Sequence, residues 1–416
     1  MRQTQNLRKD YIWNTVGTTV NSFISLLLLI VVTRVNGILD AGVFSFCFSY
    51  SVVFYTIGYY GGRIYQVSDA ENEYPPKSYI RLKFVTSAVM FLVAIAFVLA
   101  NSYSIEKASL LIALVAFKIC EAICDAIYGV IQKCGRLYIA GYSMTLKGAI
   151  GFALFLAIDV ATKNILFASI GLVAVNLIII LIYDVRKMRG LGPKDTSHTD
   201  IRGLLMLMKS MFSVFLLAFL SNLIINVPRY FIDVFHEDAQ GYFGIVVMPA
   251  TAVALFGMFI LQPRVVTLSE MLAKGDYTTF NRVIFRLISV ALAVGVFGTV
   301  AAYFLGAPIL TLIYGVDLYP YKWDIALIVL GGVANVIIMI FSSALVIMRK
   351  FPVQVVLYVT TVIIITILSV MFVNSLVVMG GVISYLIANT LQCISYAVAY
   401  RLILRKNKAG SVERKD

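Results

Sequence analysis

Twelve apolar segments, each long enough to cross a membrane, dominate this sequence. The hydrocarbon core of a bilayer is about 30 Å thick, so a spanning helix needs ~20 apolar residues. Of the 416 residues, 61% are hydrophobic and only 13% are charged, whereas soluble proteins carry about 25% charged residues. The sequence therefore predicts an all-α integral membrane protein with about twelve transmembrane helices, at 11–33, 43–61, 84–101, 108–130, 138–158, 165–183, 204–227, 242–261, 283–305, 325–348, 353–373 and 377–399.

The connections between these segments alternate in positive charge. One alternating set holds most of the 34 Lys and Arg residues, and the opposite set holds only Arg34, Lys107, Lys163, Arg229 and Lys322. Because Lys and Arg concentrate on the cytoplasmic side, both termini are predicted to be cytoplasmic. The net charge of +13 then reflects membrane topology and attraction to membrane lipids, and no nucleic-acid partner is predicted.

The chain divides into two related halves. A polar stretch at 186–203 is predicted to be a cytoplasmic linker between a six-helix lobe at 1–185 and a second at 204–400, with a basic tail at 401–416. At an offset of 201 residues the loops after the second and eighth helices match, pairing Arg63 with Arg264, Ser68 with Ser269, Asp69 with Glu270, Arg81 with Arg282 and Phe84 with Phe285. An even helix number per half predicts parallel repeats around a central cavity.

Four charged residues fall inside predicted helices. Lys118, Glu121 and Asp125 share one face of the fourth helix, and Lys147 lies in the fifth. Facing lipid, the four would together cost on the order of 10 kcal/mol, so they face a cavity or each other. Lys147 lies roughly 14 Å above the inner end of its helix, and Asp125 and Glu121 lie about 10 and 16 Å up theirs. Lys147 could therefore pair with either carboxylate, while Glu121 is one turn from Lys118.

Two readings of this group stay open. A closed ion-pair group would only hold the two helices together. Alternatively, a lysine remains available for a phosphate, or Glu121 or Asp125 exchanges a proton or other coupling ion during transport.

Two further sequence segments carry a family resemblance. The segment NVPRYFIDVFHEDAQGYFG (226–244), the outer segment ILTLIYGVDLY (309–319) and the two aligned six-helix halves together resemble the bacterial polysaccharide-repeat flippases. These form the Wzx-like branch of the multidrug/oligosaccharidyl-lipid/polysaccharide (MOP) exporter superfamily. The resemblance implies alternating-access transfer of an undecaprenyl-diphosphate-linked oligosaccharide across the bacterial cytoplasmic membrane for cell-surface polysaccharide synthesis. It also implies polysaccharide polymerase and export machinery as possible partners.

The resemblance also points to substrate-binding arginines. In the family, helices one, two, seven and eight line the cavity, and arginines on the second and eighth are important for transport; Arg63 and Arg264 match them in helix and depth. Arginine suits a diphosphate because its planar fork donates paired hydrogen bonds. The alternative is that both arginines are cytoplasmic anchors of the positive-inside kind.

Other polar residues are weaker candidates. Arg34 and Arg229 lie on the charge-poor side and could form an outer gate with Asp40 or Asp233, or act as interfacial anchors. Pro228 is expected to interrupt the seventh helix beside Arg229. Asparagines on the first and seventh helices suit either sugar contact or hydrogen bonding between helices: Asn14, Asn21, Asn222 and Asn226. Gly58 and Gly62 form a small-xxx-small pattern that predicts close helix packing.

Other function classes are disfavoured. The sequence has no phosphate-binding glycine loop, so ATP is not predicted as the energy source. It has no cysteine or histidine cluster at metal-ligand spacing, so no metal is predicted, and no other cofactor is predicted either. Nucleophilic side chains lack a histidine partner, so the protein is not expected to be an enzyme. A cation-coupled multidrug exporter of the same superfamily is the first alternative, although the intramembrane charges favour an anionic substrate. A lipid II flippase is the second alternative, because lipid II flippases typically carry two further helices that are not found in this sequence.

Overall fold

A computed structural model describes residues 2–69, 73–191 and 200–412, and within them the chain is built from helices without strands. It divides into two compact units, Met1–Asn222 and Leu223–Asp416. The predicted linker at 186–203 lies in part outside the described residues, as does the end of the tail at 401–416.

Up to Arg189, the first unit contains six membrane-crossing helices, of which the second and sixth change geometry along their length. In chain order the helices are α1 (Arg2–Asn36), α2 (Ile38–Tyr59), α3 (Gly62–Ser68), α4 (Pro76–Asn101), α5 (Ile105–Lys133), α6 (Leu137–Thr162) and α7 (Ile165–Ile179), followed by a π-helical turn (Ile180–Asp184) and α8 (Val185–Arg189). Helices α2 and α3 form one crossing, and α7 with its π-helical turn and α8 forms another.

The second unit repeats this order. The next helix, α9 (Ile201–Phe235), spans the boundary between the units, and it is followed by α10 (Gln240–Val246), α11 (Met248–Leu261), α12 (Val265–Ala273), α13 (Tyr277–Ala301), α14 (Ala307–Tyr314), α15 (Lys322–Ile347) and α16 (Phe351–Val412). Like α2 and α3, α11 and α12 are separated by a short irregular segment, here the 3₁₀ turn Gln262–Arg264. Val377 has non-helical dihedral angles, so α16 is two successive helices.

Ten helices of the described residues are long and apolar enough to span a membrane. The 58-residue span Phe351–Lys408 counts as one of the ten but contains the break at Val377. The helix α5 is 29 residues long and is not among the ten, since Lys118, Glu121 and Asp125 lie in its middle. Splitting α16 and adding α5 gives twelve crossings, and the predicted fold class of a multi-pass all-α membrane protein is confirmed.

A buried central helix organises each unit. Helix α5 packs against α2, α3, α4 and α7, and α15 packs against α11, α13 and α16. Helices α1 and α6 approach each other closely at Gly17 and Gly141, where a Cβ on Gly17 would lie 2.4 Å from the Gly141 carbonyl oxygen. Small residues allow such contacts between membrane helices. Many large apolar side chains remain exposed on the outer helix faces, Leu99 and Phe297 among them, as expected of a surface that faces lipid.

Candidate functional site

A break in the second crossing organises the polar interior of the first unit. Helix α2 ends at Tyr59, and Tyr60, Gly61 and Gly62 have positive φ angles of 37°, 75° and 54°. A Cβ on Gly62 would lie 1.9 Å from the ring of Tyr59, so only glycine fits there. Tyr60 stacks on Phe215 of α9 with ring centroids 4.7 Å apart, which covers the break. The chain thus leaves helical geometry within a membrane crossing.

Backbone groups at this break bond to polar and charged side chains. The Lys83 ammonium donates to the Tyr59 carbonyl, the Arg63 N–H donates to an Asp125 carboxylate oxygen at 2.7 Å, and Thr86 donates to the Gly58 carbonyl at 3.0 Å. Irregular backbone at membrane depth is tolerated where protein groups or a water-filled cavity satisfy it. We call Arg63, Lys83 and Asp125 the break cluster.

The break cluster holds two cations and one carboxylate. The Arg63 Nε and the Lys83 Nζ each lie 3.9 Å from an oxygen of Asp125. The Lys83 side chain is 3% exposed, that of Asp125 13% and that of Arg63 23%. The Nη1 nitrogen of Arg63 is buried and has no hydrogen-bond partner within the described part of the chain. One positive charge and one guanidinium donor thus remain available to an anion.

Lys118 and Glu121 form a second pair, as their spacing on α5 predicts. Their side-chain atoms are 2.7 Å apart. The Lys118 ammonium also lies 4.9 Å from the ring of Phe48 and 5.0 Å from that of Phe117. Cation–π contacts of this kind stabilise a desolvated ammonium. The carboxylate of Glu121 is therefore matched by its own lysine.

The predicted pairing of Lys147 with Glu121 or Asp125 is wrong. Lys147 forms an ion pair with Asp184 and also donates to the Tyr128 hydroxyl at 3.1 Å and the Cys124 sulfur at 2.8 Å. Asp184 is fully buried, at the end of the π-helical turn Ile180–Asp184. The crossing continues beyond its apolar run to Arg189, and the π-helical turn directs Asp184 inward.

Two buried residues of these pairs were not singled out from the sequence. Lys83 lies in the connection between the predicted helices 43–61 and 84–101, but α4 begins at Pro76 and contains Lys83 two turns inside the helix. The consecutive prolines Pro75 and Pro76 were the available signal, because proline favours the first turn of a helix. Asp184 carried no comparable signal, since it directly follows an apolar run.

The corresponding arginine of the second unit lies at a 3₁₀ turn between two helices. Arg264 ends the 3₁₀ turn Gln262–Arg264 between α11 and α12, and it is exposed. Both arginines thus adjoin an interruption of the helix, but the backbone differs: the first interruption has three positive φ angles, whereas Gln262, Arg264 and Val265 keep right-handed helical angles.

The structure corrects the expectation for Pro228. The helix α9 continues through it to Phe235, because membrane helices tolerate proline when neighbours satisfy the backbone. Arg229 and Asp233, one turn apart on α9, are 3% and 7% exposed. The guanidinium of Arg229 lies 5.6 Å from the Phe243 ring, and Gln240 donates to its carbonyl at 3.4 Å.

The remaining candidates are distributed along the helices. Arg34 and Asp40 are exposed on either side of the turn between α1 and α2, and the outer gate stays a prediction. Asn222 donates to the Ala218 carbonyl of its own helix at 3.0 Å. Asn226 is buried and Asn21 is exposed, so sugar contact by these amides also stays a prediction.

Comparison with solved structures identifies the fold. An inward-facing multidrug resistance MATE family transporter of the MOP superfamily aligns over 96% of this chain and 99% of its own, with a TM-score of 0.68 and 12% identity. An outward-facing one aligns over 98% and 97%, with a TM-score of 0.60 and 15% identity. A MOP superfamily transporter from Pyrococcus furiosus, described as having a binding pocket of reverse polarity that suggests a different function, aligns over 98% and 97%, with a TM-score of 0.60 and 16% identity.

These similarities establish the fold of the chain over nearly its whole length. The chain has the same fold as these MATE transporters of the MOP superfamily, so the prediction is confirmed at the level of the fold. No protein-family profile matches the sequence, and no curated protein does. The Wzx-like branch therefore stays a prediction.

Proposed function

We propose that this protein is an alternating-access transporter that moves an undecaprenyl-diphosphate-linked oligosaccharide across the bacterial cytoplasmic membrane. The observation that supports this most is the break cluster, with two cations for one carboxylate and the buried, unbonded Nη1 of Arg63. A diphosphate supplies the acceptor oxygens and negative charge that such a site lacks. Arginine binds phosphate in a paired geometry that lysine does not reproduce.

The charge balance elsewhere in the first unit supports an anionic substrate. Lys118 is bound to Glu121, and Lys147 to Asp184, so the carboxylates of these pairs are already compensated by protein cations. A cationic drug that bound Glu121 or Asp184 would have to displace a buried lysine from its partner. The reverse polarity reported for the Pyrococcus furiosus transporter supports the idea that this fold accommodates substrates of different charge.

The proposal includes a membrane orientation. The Lys and Arg asymmetry predicts cytoplasmic termini, and with that orientation Arg63 would lie towards the cytoplasmic end of its crossing, where we expect the lipid-linked sugar to be made. Polysaccharide polymerase and export proteins would act on the product at the outer face.

A reconstituted transport assay tests the proposal. Proteoliposomes would contain a fluorescent undecaprenyl-diphosphate oligosaccharide, and its transfer between leaflets would be followed by quenching from one side. We expect Arg63→Gln to slow transfer at least tenfold and Arg63→Lys to have an intermediate effect. The matched control is Lys77→Gln, because Lys77 is exposed at the start of α4 on the same predicted side. Equal rates for R63Q and K77Q at equal protein incorporation would refute the role of Arg63.

A cation-coupled multidrug exporter is the second candidate. It is favoured by the solved structures, since two of those compared are multidrug resistance MATE transporters. The same proteoliposomes, loaded with a fluorescent cationic drug and given a sodium or proton gradient, discriminate the two. Drug export that depends on Asp125 or Glu121, without transfer of the oligosaccharide lipid, would establish the second candidate and exclude the first.

A further inference from the structure

A small basic cavity lies at one end of the first unit, apart from the break cluster. Its volume is about 330 Å³, and its lining includes Arg136, Tyr138, Tyr183, Arg186 and Lys187. These residues come from the start of α6 and from the π-helical turn and α8 that follow α7. None of them belongs to the break cluster or to the Lys118–Glu121 pair.

Contacts between helices fix the two walls of this cavity, and one of them is a buried ion pair. The Lys147–Asp184 pair joins α6 to the π-helical turn, and the rings of Tyr142 and Tyr183 lie 5.8 Å apart. At the cavity's far edge the Cys134 thiol donates to the Leu191 carbonyl at 3.5 Å. The cavity is thus a built feature of the unit. Short π-helical segments within α-helices often occur at functional sites.

The charge of the lining selects an anion. Three of the eight lining residues are cations, and none is acidic. Among the described residues, Asp184 beside the cavity is paired with Lys147, and Asp10 accepts the backbone N–H of Tyr138 at 2.6 Å, so the three lining cations outnumber the one unpaired carboxylate. The side chains of Arg136, Arg186 and Lys187 are exposed. A ligand could reach these cations from solvent or from the membrane surface.

The position of the cavity favours a lipid as the source of that anion. It lies where two crossings end, on the side that the charge pattern predicts to be cytoplasmic. Leu181 and Ile182, in the π-helical turn directly before Tyr183, are 65% and 57% exposed and extend an apolar surface away from the cations. Basic pockets between helices at the cytoplasmic side bind anionic headgroups. A volume of about 330 Å³ is at the small end of ligand pockets, which suits a headgroup.

We propose that this cavity binds the phosphate headgroup of an anionic phospholipid, with its acyl chains along the exposed face that contains Leu181 and Ile182. Arg136, Arg186 and Lys187 contact the phosphate, and Tyr138 and Tyr183 lie at the level of the headgroups. This site does not depend on the transported substrate, so it stands whichever transport function is correct.

Native mass spectrometry of the purified full-length protein tests this site. The protein would be titrated with phosphatidylglycerol, with phosphatidylcholine and with inorganic phosphate alone. We expect one tightly held phosphatidylglycerol, weaker binding of phosphatidylcholine, and no displacement of the lipid by millimolar phosphate. Displacement of the bound phosphatidylglycerol by millimolar inorganic phosphate would overturn the assignment of this site to a lipid.

Matched variants make the test specific. Replacing Arg136, Arg186 and Lys187 together by Gln should lower the affinity for phosphatidylglycerol up to about 100-fold. This follows because each cation contributes about a fivefold factor in affinity. The control replaces Lys274, Arg282 and Arg286, which are exposed in the second unit, by Gln and changes the net charge equally. The charge-conserving variant R136K/R186K/K187R should retain the lipid, which separates binding from misfolding. Equal lipid binding by the two Gln variants would overturn the proposal.

Discussion

Replacing Asp125 by Asn tests whether the break cluster is held together by its single carboxylate. Asp125 accepts the Arg63 N–H at 2.7 Å and lies 3.9 Å from both the Arg63 and the Lys83 side-chain nitrogens. Removing one partner of a fully buried ion pair costs about 3–5 kcal/mol. The 23% exposure of the Arg63 side chain reduces the cost, and Asn keeps an oxygen for the N–H. We therefore expect a loss of about 2–3 kcal/mol.

Thermal unfolding in detergent measures this loss. For a unit of about 200 residues, each kcal/mol shifts Tm by roughly 2–4 °C, so D125N should lower Tm by about 4–12 °C. Glu121→Gln is the matched control. It also neutralises a carboxylate on α5, but Glu121 has one lysine partner, and that lysine keeps its aromatic contacts. The control should lower Tm by about half as much or less.

A double-mutant cycle with Lys83→Met identifies the cause. If the unpaired ammonium of Lys83 is what destabilises D125N, the effect of D125N should be smaller in the K83M background by about 1 kcal/mol or more. Equal effects of D125N in both backgrounds, or a Tm shift no larger than that of E121Q, would refute the ion-pair account of the break.

Three further predictions concern the same unit. Lys147→Met should lower Tm more than the double variant K147M/D184N, because Asp184 is fully buried and only the single variant leaves its charge uncompensated; equal Tm values would contradict this. Gly62→Ala should destabilise by at least 1–2 kcal/mol, since φ is +54° and the Cβ would meet the Tyr59 ring, whereas Gly203→Ala in α9, where a Cβ meets nothing, should be neutral or slightly stabilising in the same Tm assay. Asp69→Asn should lower Tm at pH 7, and this effect should become smaller as the pH is lowered below about 4. Although burial raises the pKa of Asp69, hydrogen bonds from Glu73, Tyr74 and Tyr79 and the charge of Lys133 lower it overall, so its stabilisation is present above the unfolded pKa of about 3.9 and is lost as the pH falls through the lower folded value; a Tm difference independent of pH would contradict this.

Hydropathy was sufficient for the fold because the bilayer imposes one length and one kind of hydrogen bonding on every crossing. It was insufficient at helix ends. The fifth residue of the KSYIRLK run, Arg81, is exposed while Lys83 is buried, and composition assigns both to a connection. The burial of Lys83 depends on α4 beginning at Pro76 and on the Tyr59 carbonyl freed by the break. Such partners are distant in sequence, so periodicity alone could not find them.

The site was predictable only where its partners share a helix. Lys118 and Glu121 are three residues apart on α5, and the helical repeat brings them together. Lys147 and Asp184 lie on different helices, and their pairing depends on the π-helical turn that rotates Asp184 inward. The Gly61–Gly62 pair was a turn signal, but the small-xxx-small reading of Gly58 and Gly62 accounts only for Gly58, where an added Cβ would lie 2.9 Å from the Met90 sulfur.

In both repeats the helix is interrupted near the aligned arginine, but the interruptions and the residues around them differ. At the offset that relates Arg63 to Arg264, the position of Lys83 is occupied by Ile284, a fully buried apolar residue of α13. Helix α15, the counterpart of α5, carries charge only in its first turn, at Lys322 and Asp324. The second break therefore has an exposed arginine beside an apolar core, whereas the first has an arginine within a charged cluster. The difference follows from the backbone. The first break has positive φ angles and frees the Tyr59 carbonyl and the Arg63 N–H, which Lys83 and Asp125 satisfy. The second keeps right-handed angles and hydrogen bonds such as that from the Gln262 N–H to the Met258 carbonyl, so no charged partner is required there.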